Sequence, residues 1–356
     1  MPNSTVREFG RYNFGRGKRK EWYLLIATIL FVFLLGELIL HTMLPPAYQP
    51  TKYGWTVGAN RTATRTLQDQ PGAYRTVQNE YFDHGFKRWG QLHTHRPSVL
   101  IIGDSFTEMV QVSNGEEWYA YLEKEYPYVN FFVYGGGGYG SLQEYMVLDD
   151  YIDDIDPDVV IWQFCSNDYW NNLYESDRNY YPHNNFGVRP YLVNKEIVYE
   201  IPMPLPFLRK YSRIADRILV RYDAFQKAQL QANTDSNSNN QITKMEGRKE
   251  KVPESAYRVT GEILKMARLR AGQRPFFFFS TEPITDKESL LCREAGITCI
   301  RGVSEYLESK EAEGITIGIV DDGHWNLAGN RFVGEFLIKY FKDQPNRNIF
   351  SDVGVN

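Results

Sequence analysis

The chain has 356 residues, 42% of them hydrophobic, enough for one sizeable core plus appendages. A net charge of −4 shows no basic stripe of the kind that nucleic-acid binding requires. Three cysteines cannot all pair internally, so this is no disulfide scaffold; Cys292 and Cys299 can bridge in an oxidising compartment, and Cys165 reads as a buried small hydrophobe.

Residues 1–21 are polar and basic, with Arg7, Arg11, Arg16, Lys18, Arg19 and Lys20. From Trp22 to Leu44 the chain is almost wholly apolar, and a helix over 22–44 spans roughly 30 Å, one hydrocarbon thickness. Such a run is either a cleaved signal peptide or a retained anchor. It is longer than a signal core, and only Leu44-Pro45-Pro46-Ala47 follows it, without an Ala-x-Ala-like site, so a signal-anchor is expected. Basic residues before the span place the N-terminus in the cytoplasm and the rest outside, periplasmic or extracellular. Glu37 lies in the apolar run; a contact with a partner helix competes with the plainer expectation that it reaches for water at the outer interface.

Residues 45–97 read as a lead-in, stiffened by Pro45, Pro46 and Pro50. His93 and His95 sit two apart, as on one face of a strand, but without a third ligand nearby they read as surface or packed histidines rather than a metal site. A domain over 98–345 then alternates strand and helix. Strands are expected at 99–104, 129–134, 159–165, 276–279 and, short and at an edge, 297–300. Helices are expected near 116–126, 141–154, 254–271 and 327–342, which together predict a parallel sheet covered on both faces. An insertion from 169 to 253 interrupts the alternation. It opens on Tyr169-Trp170-Asn171-Asn172, turns amphipathic over 208–231 and ends in a polar, disorder-type tract at 233–251. Residues 346–356 form a tail.

Four of the predicted strand ends carry chemistry. The first runs into Gly103-Asp104-Ser105, a turn that lifts a serine off the carboxyl edge of the sheet, where open α/β folds bind ligands. Taken alone, Asp104-Ser105 is equally a helix cap. The second leads to Gly135-Gly136-Gly137-Gly138-Tyr139-Gly140 and the third to Ser166-Asn167-Asp168; glycine N–H groups and an asparagine amide are oxyanion donors. Near the far end, Asp321-Asp322-Gly323-His324-Trp325-Asn326 supplies a histidine base with a carboxylate two or three residues before it.

In this order and spacing, Gly-Asp-Ser, Gly, Asn-Asp and Asp-Gly-His-Trp-Asn resemble the SGNH (GDSL-type) hydrolase superfamily over roughly 98–341, and more closely its membrane-anchored bacterial members. The resemblance implies a three-layer α/β/α flavodoxin-like fold. It implies Ser105 as nucleophile, His324 as base, and an oxyanion hole of the Ser105 N–H, the Gly138 N–H and the Asn167 side chain, with Gly135 to Gly137 as rivals to Gly138. The orienting acid is Asp321 or Asp322, since members differ. Ser166 stands where many members have glycine. Asp104, Asp168, Tyr169, Trp170 and Trp325 flank these residues and are expected at the substrate. The function implied is an anchored, externally facing serine esterase acting on an acyl ester, most plausibly acetyl on carbohydrate, with no metal or organic cofactor and no nucleic-acid partner. An O-acyltransferase in a polysaccharide-modification complex and a non-catalytic glycan-binding module are the alternatives.

Overall fold

The computed structural model describes residues 16–43, 52–56, 58–70, 72–173, 189–200, 205–219, 221–222, 225, 252–320 and 322–343. The polar tract 233–251, the tail 346–356 and Asp321 lie outside the described residues. The chain divides into two units, one comprising the N-terminal segment with residues 203–233, the other everything else.

In the smaller unit a single helix runs from Arg16 to Met43, and its portion Lys20–Met43 is long and apolar enough to cross a membrane. Glu37 does not reach for water. Its carboxylate accepts hydrogen bonds from Ser212 Oγ (3.0 Å), from Ile214 N–H (3.2 Å) and from Arg213 N–H, and His41 lies 3.1 Å away. Residues 213–219 are helical, so the carboxylate satisfies N–H groups that open a helix, which have no intrahelical partner. Of the stretch 208–231 expected to be an amphipathic helix, 208–211 and 213–219 are helical, and Ile218, Tyr222 and Phe225 of its apolar side are exposed.

The larger unit opens with an antiparallel hairpin, β1 (Arg61–Gln70) and β2 (Ala73–Tyr81), in the segment read from sequence as a lead-in. Its polar, threonine-rich strands carry little apolar alternation, which hid them. The central sheet contains β3 (Ser98–Gly103), β4 (Asn130–Gly135), β5 (Val159–Phe164), β8 (Phe276–Ser280) and β9 (Thr298–Cys299). All pairings are parallel, in the order β4-β3-β5-β8-β9. A second small hairpin, β6 (Arg189–Val193) with β7 (Glu196–Glu200), lies in the insertion.

Strand side chains alternate between two cores. Leu100, Ile102, Phe132, Val160, Trp162 and Phe278 face the helices Ser141–Ile155, Glu254–Ala271 and Asp286–Ala295. Val99, Ile101, Val133, Ile161, Phe277 and Phe279 face Trp118–Glu125, Val303–Ala312 and Leu327–Lys342. Both faces of β3, β4, β5 and β8 are thus dry, which is why these strands read as apolar runs, while edge strand β9 is half-buried. The result is a three-layer α/β/α arrangement around a parallel sheet. Cys292 and Cys299 are disulfide-bonded, tying a helix end to edge strand β9, while Cys165 is a buried free thiol.

Two glycines are required where β3 and β4 end. A Cβ on Gly103 would lie 2.3 Å from Thr107 Oγ1 and 2.4 Å from Gln163 Oε1; one on Gly135 would lie 2.0 Å from the Glu108 backbone nitrogen. Backbone cannot give way as a side chain tip can. Gly135→Ala is therefore expected to cost about 1–3 kcal/mol, lowering Tm by roughly 3–10 °C in a thermal melt. An unchanged Tm would mean that this approach is not tight.

Candidate active site

Register brings the motifs together. Gly103 pairs with Gly135 across β3 and β4, and Ile102 with Trp162 across β3 and β5. The turns carrying Ser105, Gly138 and Asn167 therefore leave one edge of the sheet side by side. Ser105 begins a short helical turn, Ser105–Glu108, capped by Asp104, whose Oδ1 accepts the Phe106 N–H at 2.9 Å.

His324 comes to this edge from 219 residues further along. Its Nε2 lies 2.7 Å from Ser105 Oγ. Its Nδ1 is hydrogen-bonded to Asp322, one of the two acids expected from the sequence. Gly323 has φ +78°, a left-handed turn that folds Asp322 back onto the ring. Gln111 Nε2 donates to the other Asp322 oxygen at 3.1 Å. Phe106 packs on the imidazole with centroids 4.7 Å apart. Burial pulls the His324 pKa down, but the hydrogen bond and charge of Asp322 outweigh it, and the net direction is upward. Asp322 is held below the usual carboxylate range, first by the His324 hydrogen bond, and Gln111 and the charge of Arg65 add to it.

Among the glycines, Gly136 N–H donates to Gly103 O (3.2 Å) and Gly137 N–H to Glu108 Oε2 (2.8 Å). Gly138 has φ +72°, and no acceptor for its N–H is found among the described residues. Its loop is stitched to that of Asn167. Ser141 Oγ donates to Asp168 Oδ2 (3.0 Å), Leu142 N–H to Asn172 Oδ1 (3.2 Å), and Asn171 Nδ2 to Tyr139 O (3.3 Å). Glu282 holds the other side, accepting from Ser166 N–H at 3.1 Å and Ser166 Oγ at 2.8 Å.

Four residues expected at the substrate are buried instead. Asp104 and Asp168 are wholly buried, Trp325 packs edge-on to Phe106, and Tyr169 gives its hydroxyl to Glu288 at 2.7 Å. They support the site from behind; of the five, Trp170 alone is partly exposed. The carboxyls were misassigned because short acidic side chains after a strand look the same in sequence whether they point out or in. His93 and His95 line a cleft with Asp156 and Asp158 at the amino ends of the strands, the opposite edge from Ser105. No cluster of three or more His, Cys, Asp or Glu able to hold a metal is found among the described residues.

Behind the loops lies a group of buried acids, of which sequence reading missed Glu144. Glu144 is fully buried with the Trp162 indole N–H beside its carboxyl, and Asp168 Oδ1 and Asp104 Oδ2 have no hydrogen-bond partner. Burial, reinforced by the charge of Asp168, pushes Glu144 well above the carboxylate range; burial and the charge of Asp104 do the same to Asp168, and burial lifts Asp104 to about 6. Burial therefore favours the neutral form of both Glu144 and Asp168. The only sequence signal was an acid on the apolar face of the helix 141–155.

No family model and no characterised protein matches the chain's sequence. Among solved structures, it is similar to a member of the lipolytic G-D-S-L family from Veillonella parvula (13% identity, 69% of this chain and 98% of that one, TM-score 0.38). It is likewise similar to an acetyl xylan esterase (12%, 68% and 98%, TM-score 0.36). A third is a putative GDSL-like lipase from Parabacteroides merdae (12%, 68% and 94%, TM-score 0.37). These are distant likenesses.

Two measurements follow from the electrostatics. Because Asp322 raises the His324 pKa, ester turnover is expected to rise with pH through a midpoint above the ordinary imidazole value of about 6.5. Asp322→Asn should move that limb to lower pH while cutting kcat by about 10²–10⁴-fold; a limb that stays put would remove Asp322 from the triad. Glu144 has a folded pKa above its unfolded one, so its contribution to stability is greatest below about pH 4 and declines as pH rises. Glu144→Gln, permanently neutral, should accordingly raise Tm at pH 8, with the gain vanishing near pH 4. A Tm loss at pH 8 would show the carboxyl to be ionised and paired.

Proposed function

We propose that the chain is a serine esterase that forms an acyl-enzyme on Ser105. The observation carrying this reading is the Ser105–His324–Asp322 relay, with Oγ 2.7 Å from Nε2 and the carboxylate on Nδ1. His324 takes the hydroxyl proton as Oγ attacks the ester carbonyl. The oxyanion is received by the Ser105 and Gly138 N–H groups and the Asn167 amide. His324 then protonates the leaving alkoxide and, in the second half, activates water.

The substrate we assign is an acyl ester, acetyl foremost, on a carbohydrate, with the partly exposed Trp170 beside Asn167 offering a ring face. The enzyme is held by the helix Lys20–Met43 as a membrane anchor, N-terminus inward, with the catalytic unit outside. The Cys292–Cys299 bond supports that side, because disulfides persist in oxidising compartments.

The test is labelling of the full chain by a fluorophosphonate, together with p-nitrophenyl acetate turnover. Both should vanish in Ser105→Ala and His324→Ala, and Asn167→Ala should lower kcat by about 10²–10³-fold. Acetyl appearing on an added oligosaccharide would reassign the second half-reaction to acyl transfer. A folded wild type that neither labels nor turns over would sink the catalytic reading and favour a glycan-binding module.

A further inference from the structure

The hairpin β1–β2 stands beside the site with one face inward. β2 is fastened to the segment that follows Ser105: Asn79 Nδ2 donates to Val110 O (3.1 Å), Glu80 N–H to Asn114 Oδ1 (3.0 Å), and Tyr81 hydroxyl to Glu108 Oε1 (2.8 Å). Val77, Asn79 and Tyr81 are the buried residues of β2. Directly opposite residues share a face, so the partners of Tyr81 and Val77, which are Arg61 and Arg65, turn toward the same side. Unlike their partners, Arg61 and Arg65 are exposed. Arg75 on β2 is paired with Glu116 at 2.7 Å, whereas no ion pair to Arg61 or Arg65 is found among the described residues. Their charge reaches the catalytic edge: that of Arg65 acts on Asp322, and those of both act on the Tyr81 hydroxyl.

We propose that Arg61 and Arg65 are a specificity rim that selects an acyl ester carried on a negatively charged glycan. Two exposed guanidiniums on the inward face, beside a serine–histidine pair, attract and orient anionic groups flanking the scissile ester. Four residues apart on a strand, their backbones are separated by ~13 Å, which suits anionic groups repeated along a chain better than one small carboxylate. This proposal rests on the serine-esterase reading.

The experiment uses the full chain in a neutral detergent. Acetate release is compared for an O-acetylated oligogalacturonate, its carboxyl-reduced neutral counterpart, and an O-acetylated sulfated oligosaccharide. The ratio of kcat/KM for anionic over neutral substrate is expected to be about tenfold or more, to shrink with ionic strength, and to collapse in the double variant R61Q/R65Q. The R61K/R65K variant should keep part of it. Whichever of the carboxylate and sulfate substrates shows the greater preference identifies the anion. A ratio near one, or one that R61Q/R65Q leaves unchanged, overturns the proposal. Calorimetric binding of the same deacetylated oligosaccharides to Ser105→Ala protein separates the two ideas. Anionic binding that is lost in R61Q/R65Q upholds the rim even if the wild type hydrolyses nothing, and equal or absent binding of charged and neutral chains rejects it.

Discussion

The parallel ladder joining β3 to β4 and β5 is the constraint from which the site follows. Once Gly103 is level with Gly135, and Ile102 with Trp162, three turns must emerge at one edge, and the side chains they carry have nowhere else to converge. Close approach is the cost of that convergence. The turn after β3 passes so near the end of β4 that Gly135 has no room for a Cβ, and Gly103 is closed off by Thr107 and by Gln163 of β5. Glu108 then uses the proximity, accepting from Tyr81 on one side and from Gly137 on the other, so that one carboxylate locks the hairpin and the glycine turn to the serine's own helical turn.

Charge is arranged in two layers around that edge. In the front layer Asp322 is ionised and favours an imidazolium at His324, the charge state that follows when the serine gives up its proton. In the rear layer Glu144 and Asp168 are stripped of water, which raises the proton affinity of both, with the charge of Asp168 adding to it at Glu144 and that of Asp104 at Asp168. The distinction is one of environment rather than residue type. Asp322 is partly exposed with Gln111 and His324 as donors, whereas Glu144 is wholly buried among other acids.

Much of this was legible in the chain. Parallel strands buried on both faces announce themselves as β-branched and aromatic runs, and helices such as Glu254–Ala271 and Leu327–Lys342 as one-sided apolar spacing. Gly-Asp-Ser and Asp-Gly-His-Trp were readable because turn chemistry and acid–base chemistry meet there in consecutive residues. What escaped was whatever depends on a partner far away in sequence. The hairpin β1–β2 draws its stability from being fastened to 108–116, and its own strands are polar. Helices Asp286–Ala295 and Val303–Ala312 are short and charged, with their cores supplied by strands β8 and β9. The inward aim of Asp104 and Asp168 is set by Phe106 N–H and Ser141 Oγ, which no local pattern reveals.

The histidine loop shows how a residue distant in sequence is held to hydrogen-bond accuracy. Its position is over-determined by the helix that follows. Asn326 caps Leu327–Lys342, accepting from Ala328 and Gly329 N–H, and sends its amide to Thr316 O at 3.0 Å. One turn on, the wholly buried Asn330 accepts the Trp118 N–H at 3.0 Å and donates to Trp325 O at 3.2 Å. Trp118 in turn gives its indole N–H to Phe106 O at 3.0 Å, one residue past the serine. A closed circuit of hydrogen bonds thus runs from the serine's turn through Trp118 and Asn330 to the residue beside His324. Loops anchored only by their ends would sample positions differing by more than the 2.7 Å contact tolerates; a buried polar circuit whose members cannot leave without an unpaired group restricts them to one. The Ser105–His324 contact is in that sense a consequence of core structure, set by two asparagines and a tryptophan that take no part in the chemistry.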